Sequence, residues 1–209
     1  SVTCTLVDQD HQQGILHCGV AKDGGRLQLT GMEFCWALST ALFEDLDAVE
    51  CMDLSDNREL FDSLSKGKVD LHIIGGISQT ALMMEEAGNN EAKKCGLAFS
   101  SPYYYDNTGN VFAHVTQNND NQWTDFVYCI VMSTFHVEEN YINTVTLDSV
   151  RIVNLFGETF QHIFRHCIVA VGNYGDIYER TLSSTIPRSG QNQLNLNLDG
   201  PQQFPIPFV

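Results

Sequence analysis

The sequence HIFRHC at residues 162–167 holds the side chains best suited to chemistry in this chain. On a helix, His162 and His166 would lie on one face, which is a spacing that metal ligands use. However, no glutamate follows His162 as a zinc protease requires, and the sequence offers no obvious third ligand. Adjacent residues point in different directions on a helix, so His166 does not activate Cys167 directly. We therefore predict two ordinary histidines on a helix surface, with a metal-dependent enzyme only as an alternative.

No other segment has the pattern of a catalytic or cofactor site. The glycine-containing sequence KDGGRLQLTG, residues 22–31, lacks both GxGxxG and GK[ST], so it does not predict a phosphate-binding loop. Tyr103, Tyr104 and Tyr105 either line a ligand cleft or alternate in burial along an extended segment. No pair of carboxylates stands out as an acid and a base. We predict a protein that is not an enzyme and has no catalytic residue, cofactor or metal.

The chain is strongly acidic, with 26 Asp and Glu against 11 Lys and Arg and a formal net charge of -15. Such a field repels phosphate backbones and anionic lipid, which argues against binding to nucleic acid or to a membrane surface. No apolar run approaches the roughly 18 residues of a membrane span. The seven cysteines are scattered without a CxxC motif, which excludes zinc-ribbon and thioredoxin-type sites.

The elements that must position any site alternate between strand and helix in the first half of the chain. Short buried strands are predicted at 15–20, 48–54 and 69–76. The helices between them are predicted at 32–43 and from the cap Ser55 to the stop Gly67. This alternation predicts a parallel sheet with right-handed crossovers. Later elements are predicted as a strand at 110–116, a helix at 123–139 and one or two helices within 147–171.

Several blocks together resemble one family of proteins. These blocks are LHCGV, MEFCWALSTALF, LSDNRELFDSLSKGKVDL, FSSPYYYD, NQWTDFVY and VGNYGDIYER, followed by the C-terminal DGPQQFPIPFV. In type and in order they resemble the amino-acid-binding proteins of ABC importers (solute-binding family 3, general or glutamate-type L-amino-acid binders). The resemblance implies two α/β lobes joined by hinge strands, with the substrate clamped between them by hinge closure.

The chain is too short at one point for this family's second lobe. In the family, an outgoing strand follows the YY-D block and a returning strand precedes the QW helix. Here NVFAHVT, residues 110–116, resembles the start of the one and the end of the other. The resemblance thus implies that the inserted lobe is deleted and that the two hinge strands are fused into one. The expected fold class is α/β, a single lobe of a type 2 periplasmic-binding-protein fold, with a mostly parallel sheet flanked by helices.

This interpretation makes residues 1–209 one lobe in three parts. The N-terminal part spans residues 13–116, the helical part spans 121–180 and an extended tail spans 181–209. Because the end of the tail is rich in proline and apolar residues, it is expected to lie along a surface groove.

The resemblance also implies a ligand site, and this chain departs from it. The family's arginine, which grips the α-carboxylate of the substrate, falls on Leu82 when the register is counted from Asp70. Leucine has no donor, so a charge-assisted interaction of roughly 1.5–3 kcal/mol is missing. The first of two acidic positions falls on Gly31. We therefore predict no useful amino-acid binding. The degenerate site would comprise Ser78, Thr80, Leu82, Glu33 and Tyr104.

Two cysteines stand at positions where this family often has a bridged pair. The resemblance implies a possible disulfide between Cys18 and Cys35, with two buried free thiols as the alternative. A bridge would indicate an oxidising compartment. The chain begins at Ser1 without a charged and apolar leader, so a targeting peptide is expected to have been removed. The expected location is non-cytosolic: an organelle lumen, the periplasm or the exterior, including a peripheral position on a membrane complex.

The predicted function is that of a non-catalytic structural or interaction subunit of a larger assembly. The former cleft face, near residues 76–82 and 103–112, and the C-terminal tail would contact other protein subunits. One alternative is a residual L-amino-acid-binding protein of a transport system. The other alternative is the metal-dependent enzyme already considered.

Overall fold

A five-stranded sheet forms the centre of the residues that the computed structural model describes, namely 14–21, 25–73, 96–143, 145–150 and 152–193. The strands are β1 (Leu16–Ala21), β2 (Val49–Leu54), β3 (Leu71–Ile73), β4 (Leu97–Phe99), β5 (Tyr104–Tyr105), β6 (Val111–Phe112) and β7 (His114–Gln117). The sheet order is β2-β1-β3-β7-β4, and β5 pairs only with β6. β1 is parallel to β2 and β3, whereas β7 is antiparallel to β3 and β4. Four of the five strands therefore run in the same direction and only β7 runs against them, so the sheet is mostly parallel, as expected.

Helices cover this sheet and carry most of the core. They are α1 (Gly25–Phe43), α2 (Asn57–Ser65), α3 (Asn121–Glu139), α4 (Ile163–Val171) and α5 (Tyr174–Thr181). Short 3-10 turns occur at Leu147–Ser149, Glu158–Phe160 and Gly190–Gln193. Within the described residues, no helix combines the length and apolarity that a membrane crossing needs.

The first helix begins earlier than the apolar pattern predicted. α1 starts at Gly25 rather than at residue 32, so most of the sequence KDGGRLQLTG is helical. Thr30 and Gly31 are buried in this first part of the helix. The glycines at 24, 25 and 31 pointed to a loop, but tertiary packing outweighs such local preferences. The residue at the family's first acidic position therefore lies in a packed helix and not in a loop at a cleft.

Polar side chains fix the starts of the other helices. The N-cap of α2 is Asp56, whose carboxylate accepts a hydrogen bond from the Glu59 N–H at 2.8 Å. The Glu59 carboxylate in turn accepts from the Ser55 N–H at 2.8 Å. The predicted cap Ser55 is therefore wrong by one residue, because the aspartate competes for the same role. Asp120 caps α3 in the same way by accepting from the Trp123 N–H.

Residues from both ends of the described chain share one core. Trp123 is fully buried, stacks on Phe126 with 5.9 Å between ring centroids, and donates its indole N–H to the Asp70 carbonyl at 2.8 Å. Tyr174 is also fully buried and donates its hydroxyl to the Tyr103 carbonyl. α3 and α5, which come from the second half of the sequence, are thus hydrogen-bonded to the segments that precede β3 and β5.

The connection between β4 and β7 differs from the prediction of one fused hinge strand. β6 and β7 are separate strands, interrupted at Ala113, and β6 pairs antiparallel with β5. The prediction of a single strand from 110 to 116 is therefore wrong. β5 and β6 instead form an antiparallel hairpin that is joined by a turn at residues 106–110.

The start of the tail also differs from its description as extended. α5 ends at Thr181, and residues 182–193 form turns and the 3-10 helix Gly190–Gln193. These residues stay attached to the lobe because they contact the β5–β6 hairpin, as the contacts of Asn192 show. Residues 194–209 lie outside the described residues.

Candidate functional site

The turn between β5 and β6 is closed by the side chain of Asp106. This carboxylate accepts hydrogen bonds from the N–H groups of Thr108 and Asn110, each at 2.8 Å. It also accepts from the Asn110 side-chain amide and the Thr108 hydroxyl, each at 2.8 Å. Led by the Asn110 side chain, these bonds lower the pKa of Asp106 to about 2. The Asp106 carbonyl accepts from the Gly109 N–H, and Gly109 takes the left-handed φ of 86° that the reversal requires.

This hairpin lies at the carboxyl edge of the parallel strands. β7 begins at His114, whose backbone pairs with Ile73 at the end of β3. The hairpin strands are reached directly from β4 on one side and lead directly into β7 on the other. In α/β folds, ligands bind beyond the carboxyl ends of the strands. The hairpin therefore lies on the side of the sheet where ligands bind in such folds.

The side chain of Asn192 forms hydrogen bonds with the outer edge of β5, as the backbone of a neighbouring strand would. The Asn192 amide accepts from the Tyr105 N–H at 2.7 Å and donates to the Tyr105 carbonyl at 2.6 Å. Arg188 holds the Asn192 backbone by donating to its carbonyl at 2.8 Å. Arg188 is itself paired with Glu138 and lies over the Tyr174 ring at 4.9 Å. Through Asn192 and Arg188, the β5–β6 hairpin is thus attached to α3 and α5.

The two predicted ligand residues within the described part of the chain are both engaged elsewhere. Glu33 is 7% exposed and receives Arg180, with an Nη2 to Oε2 distance of 2.7 Å and an Nε to Oε1 distance of 3.2 Å. This hydrogen bond is the main cause of the raised pKa of Arg180. Tyr104 is 6% exposed and packs on Phe112, with 5.6 Å between ring centroids.

Burial, followed by the nearby charge of Asp106, raises the pKa of Tyr104. Its phenol is therefore neutral at physiological pH. Ser78, Thr80 and Leu82 lie outside the described residues. The degenerate ligand site therefore stays a prediction.

Cys18 and Cys35 are neighbours in the core, on β1 and α1. Both are free thiols and both are completely buried. Burial, followed by a hydrogen bond with Cys35, raises the pKa of Cys18. The disulfide implied by the resemblance is not formed in this structure, which instead holds the alternative of two buried thiols.

The HIFRHC segment forms the N-cap and first half of α4. The rings of His162 and His166 are 6.1 Å apart, and His166 lies 3.9 Å from the Glu44 carboxylate. Cys167 is fully buried against Ser133, and burial raises its pKa to about 12, so it is a thiol and not an available nucleophile. The described ranges contain no group of three His, Cys, Asp or Glu side chains arranged to hold a metal ion.

A cavity at the opposite edge of the sheet was not predicted from the sequence. Its volume is about 450 Å³, and it is lined by Gln122, Asp125, Tyr128, Cys129, Leu155 and Phe156. α3 begins near the amino end of β3, because Trp123 bonds to Asp70 there. The spacing of residues 122, 125, 128 and 129 indicates one helix face. The closure of that face by residues 155 and 156 has no signal in the sequence.

Comparison with known proteins defines the fold. No protein-family model matches the chain, and a search of curated proteins also finds no match. A solved ABC transporter or periplasmic binding protein from Brucella ovis, with glutathione bound, is similar with a TM-score of 0.70 and 15% sequence identity. That comparison covers 88% of this chain and 92% of the other.

A second solved structure agrees with the first. The cysteine-binding protein from Campylobacter jejuni is similar with a TM-score of 0.56 and 12% identity, covering 90% of this chain and 97% of the other. At these identities the likeness establishes the fold alone. The expected fold class is confirmed: the described residues form a single α/β lobe with the fold of a periplasmic binding protein.

Proposed function

We propose that this protein is a non-catalytic interaction subunit of a larger assembly, derived from an amino-acid-binding protein of solute-binding family 3. One observation carries the proposal: a turn of only five residues, 106–110, joins β5 to β6 at the point where the resemblance would insert a second lobe. The surface that a second lobe would cover at the carboxyl edge of the sheet is then free to contact another protein.

The physical argument against a conventional ligand starts from enclosure. A free amino acid is small and very polar, so its affinity comes from burying both charged ends against fixed partners in a closed cleft. A single lobe leaves one side of the ligand in water. Glu33, the acidic residue retained from the family pattern, already has both carboxylate oxygens in contact with Arg180. This internal pair supports the loss of the ligand site.

The hydrogen bonds of the β5–β6 hairpin make the carboxyl edge suitable as a contact surface. Asp106 orders the turn, and Asn192 forms hydrogen bonds with the outer edge of β5. Arg188 in turn fixes the backbone of Asn192. A partner that binds such a surface pays little ordering entropy, because the backbone is already fixed. The hairpin and the adjoining tail together form the proposed contact region.

Photo-cross-linking in the native source tests this proposal. A photoreactive phenylalanine analogue at Asn107, which is exposed at the tip of the turn, should give cross-links to one or a few stoichiometric protein partners. The same analogue at Glu158, exposed on the segment that packs beside the start of α3, is the matched control and should not. Equal cross-linking from both positions, or none from Asn107, would contradict the proposal.

A solute-binding protein is the second candidate, and the two similar structures favour it. One of these proteins has glutathione bound, and the other is a cysteine-binding protein. If this chain retains such binding, titration with either compound should shift the amide NMR signals of residues 103–112 in a saturable manner. Signals that do not move, in a sample whose spectrum is otherwise well dispersed, would remove this candidate.

A non-cytosolic location is part of the proposal. It is supported by the fold, because one of the two similar structures is that of an ABC transporter or periplasmic binding protein. Fractionation of the native source, with protease protection of the intact compartment, tests the location. Recovery of the protein in the cytosolic fraction would contradict it.

A further inference from the structure

The cavity at the amino edge of the sheet has a preformed apolar wall. Phe156 is 8% exposed and is held by an edge-to-face contact with Phe126, with 5.0 Å between ring centroids. Cys129 is also buried, and its pKa is raised to about 12, first by burial and then by the charge of Asp125. The thiol is therefore neutral and behaves as part of the apolar surface. Leu155 is 50% exposed and forms the open side.

The rim of the cavity carries an unpaired negative charge. Asp125 lines the cavity and forms no ion pair with any residue in the described part of the chain. Its charge acts on the cavity wall, since it contributes to the raised pKa of Cys129. Gln122 adds an amide to the same lining. With a net charge of -15 on the whole chain, the surrounding field attracts cations and repels anions.

From the apolar wall, the carboxylate at its rim and the volume of about 450 Å³, we propose that this cavity binds a small organic cation. The volume falls in the range of roughly 300–1,000 Å³ that is usual for small-molecule sites. The ligand would have an aromatic or branched aliphatic body against Phe156 and Leu155, and a primary ammonium group beside Asp125. This site is separate from the carboxyl edge of the sheet and does not depend on the function proposed there.

The chemistry of the site distinguishes a cationic ligand from neutral and anionic ligands of the same shape. An amine of the same shape gains the attraction of Asp125, whereas the matching carboxylate meets an unneutralised like charge. The neutral alcohol gains only burial of its apolar body. The expected order of affinity is therefore amine, alcohol and carboxylate. For an amine with about nine heavy atoms, a Kd of roughly 1 mM is reasonable.

NMR titration with phenethylamine, 3-methylbutylamine, phenethyl alcohol and phenylacetate tests the proposal. Both amines should shift the signals of residues 122–129 and 155–156, and the carboxylate should not. In D125N, amine affinity should fall about threefold to fivefold, which is the range of one exposed ion pair. The matched control is D53N, which removes an exposed aspartate from β2 at another edge of the sheet and should bind like the wild type.

A further readout tests the charge at the site. Higher ionic strength should weaken the binding of the amine and leave the affinity for the alcohol unchanged. Absence of amine binding, equal binding of phenylacetate, or an affinity unaffected by D125N would each overturn the proposal.

Discussion

The two ends of the sheet differ in how their polar groups are satisfied. At the carboxyl edge, Asp106 receives four hydrogen bonds from its own turn, and Asn192 completes the edge of β5. At the amino edge, Asp125 faces a cavity without an ion-pair partner in the described residues. The edge where this fold conventionally holds a ligand is therefore closed by internal bonds, and the opposite edge is open. The turn and Asn192 together leave the backbone of the β5–β6 hairpin hydrogen-bonded within the chain.

The largest effect is expected from breaking the anchor that sets the amino edge. Trp123→Ala removes a fully buried ring that packs on Phe126 and bonds to the Asp70 carbonyl. The free energy of unfolding should fall by about 4 kcal/mol, because a large cavity forms. Chemical denaturation measures this change. Trp123→Phe keeps a ring but loses the N–H donor and part of the buried volume, so it should cost less, about 1–3 kcal/mol. Equal losses for the two variants would contradict the packing argument.

The next effect is expected at the carboxyl edge, from the Arg188–Glu138 pair. Both side chains are largely buried, so Arg188→Met would leave the Glu138 carboxylate without its partner. The free energy of unfolding should fall by about 3 kcal/mol, mainly from the buried unpaired charge. Combining Arg188→Met with Glu138→Gln should recover part of this loss. A double variant that is simply additive would show that the pair contributes no coupling.

A smaller effect should follow from freeing the edge of β5. Asn192→Ala removes two hydrogen bonds to the Tyr105 backbone. The expected cost is about 1–2 kcal/mol, and hydrogen exchange of the Tyr105 amide should become faster. Gln191→Ala, at an exposed neighbouring position, is the matched control. Unchanged exchange at Tyr105 in the Asn192 variant would show that the edge does not need this side chain.

The smallest effect concerns the charge of Asp106. Because the pKa of this carboxyl in the folded protein is lowered to about 2 from its ordinary value of 3.8, its stabilising effect is fully present above pH 4 and is lost as the pH falls toward 2. The ¹³C chemical shift of its carboxyl carbon should titrate with a midpoint near 2. Asn110→Ala should raise this midpoint, since the Asn110 side chain is the main cause of the shift. A midpoint near 4 in the wild type would contradict the closed turn.

The sequence predicted the layers of this fold better than its joints. The alternation of strands and helices, together with the family blocks, was sufficient for the parallel part of the sheet. The sequence DNTGN at 106–110 has the composition of a turn. Its role was missed because the partner of Val111–Phe112 is Tyr104–Tyr105, and apolar residues on both sides of Ala113 look like one strand.

The site residues show the same limit more clearly. Glu33 was predicted as a residue of the degenerate ligand site, but its partner Arg180 is 147 residues away in the sequence. No local pattern reveals such a pair. The cavity likewise needs residues 155 and 156 to fold over α3. Long-range contacts decide whether a polar residue is available to a ligand, and a single sequence does not contain them in a readable form.

The central claim is that a lobe closed at its hinge does not enclose an amino acid. Isothermal titration calorimetry of the purified protein with L-cysteine, glutathione and L-glutamate tests this claim most directly. We expect no saturable heat with any of the three at millimolar concentration. A saturable one-site isotherm with micromolar Kd would contradict the account and identify the protein as a binder of that solute.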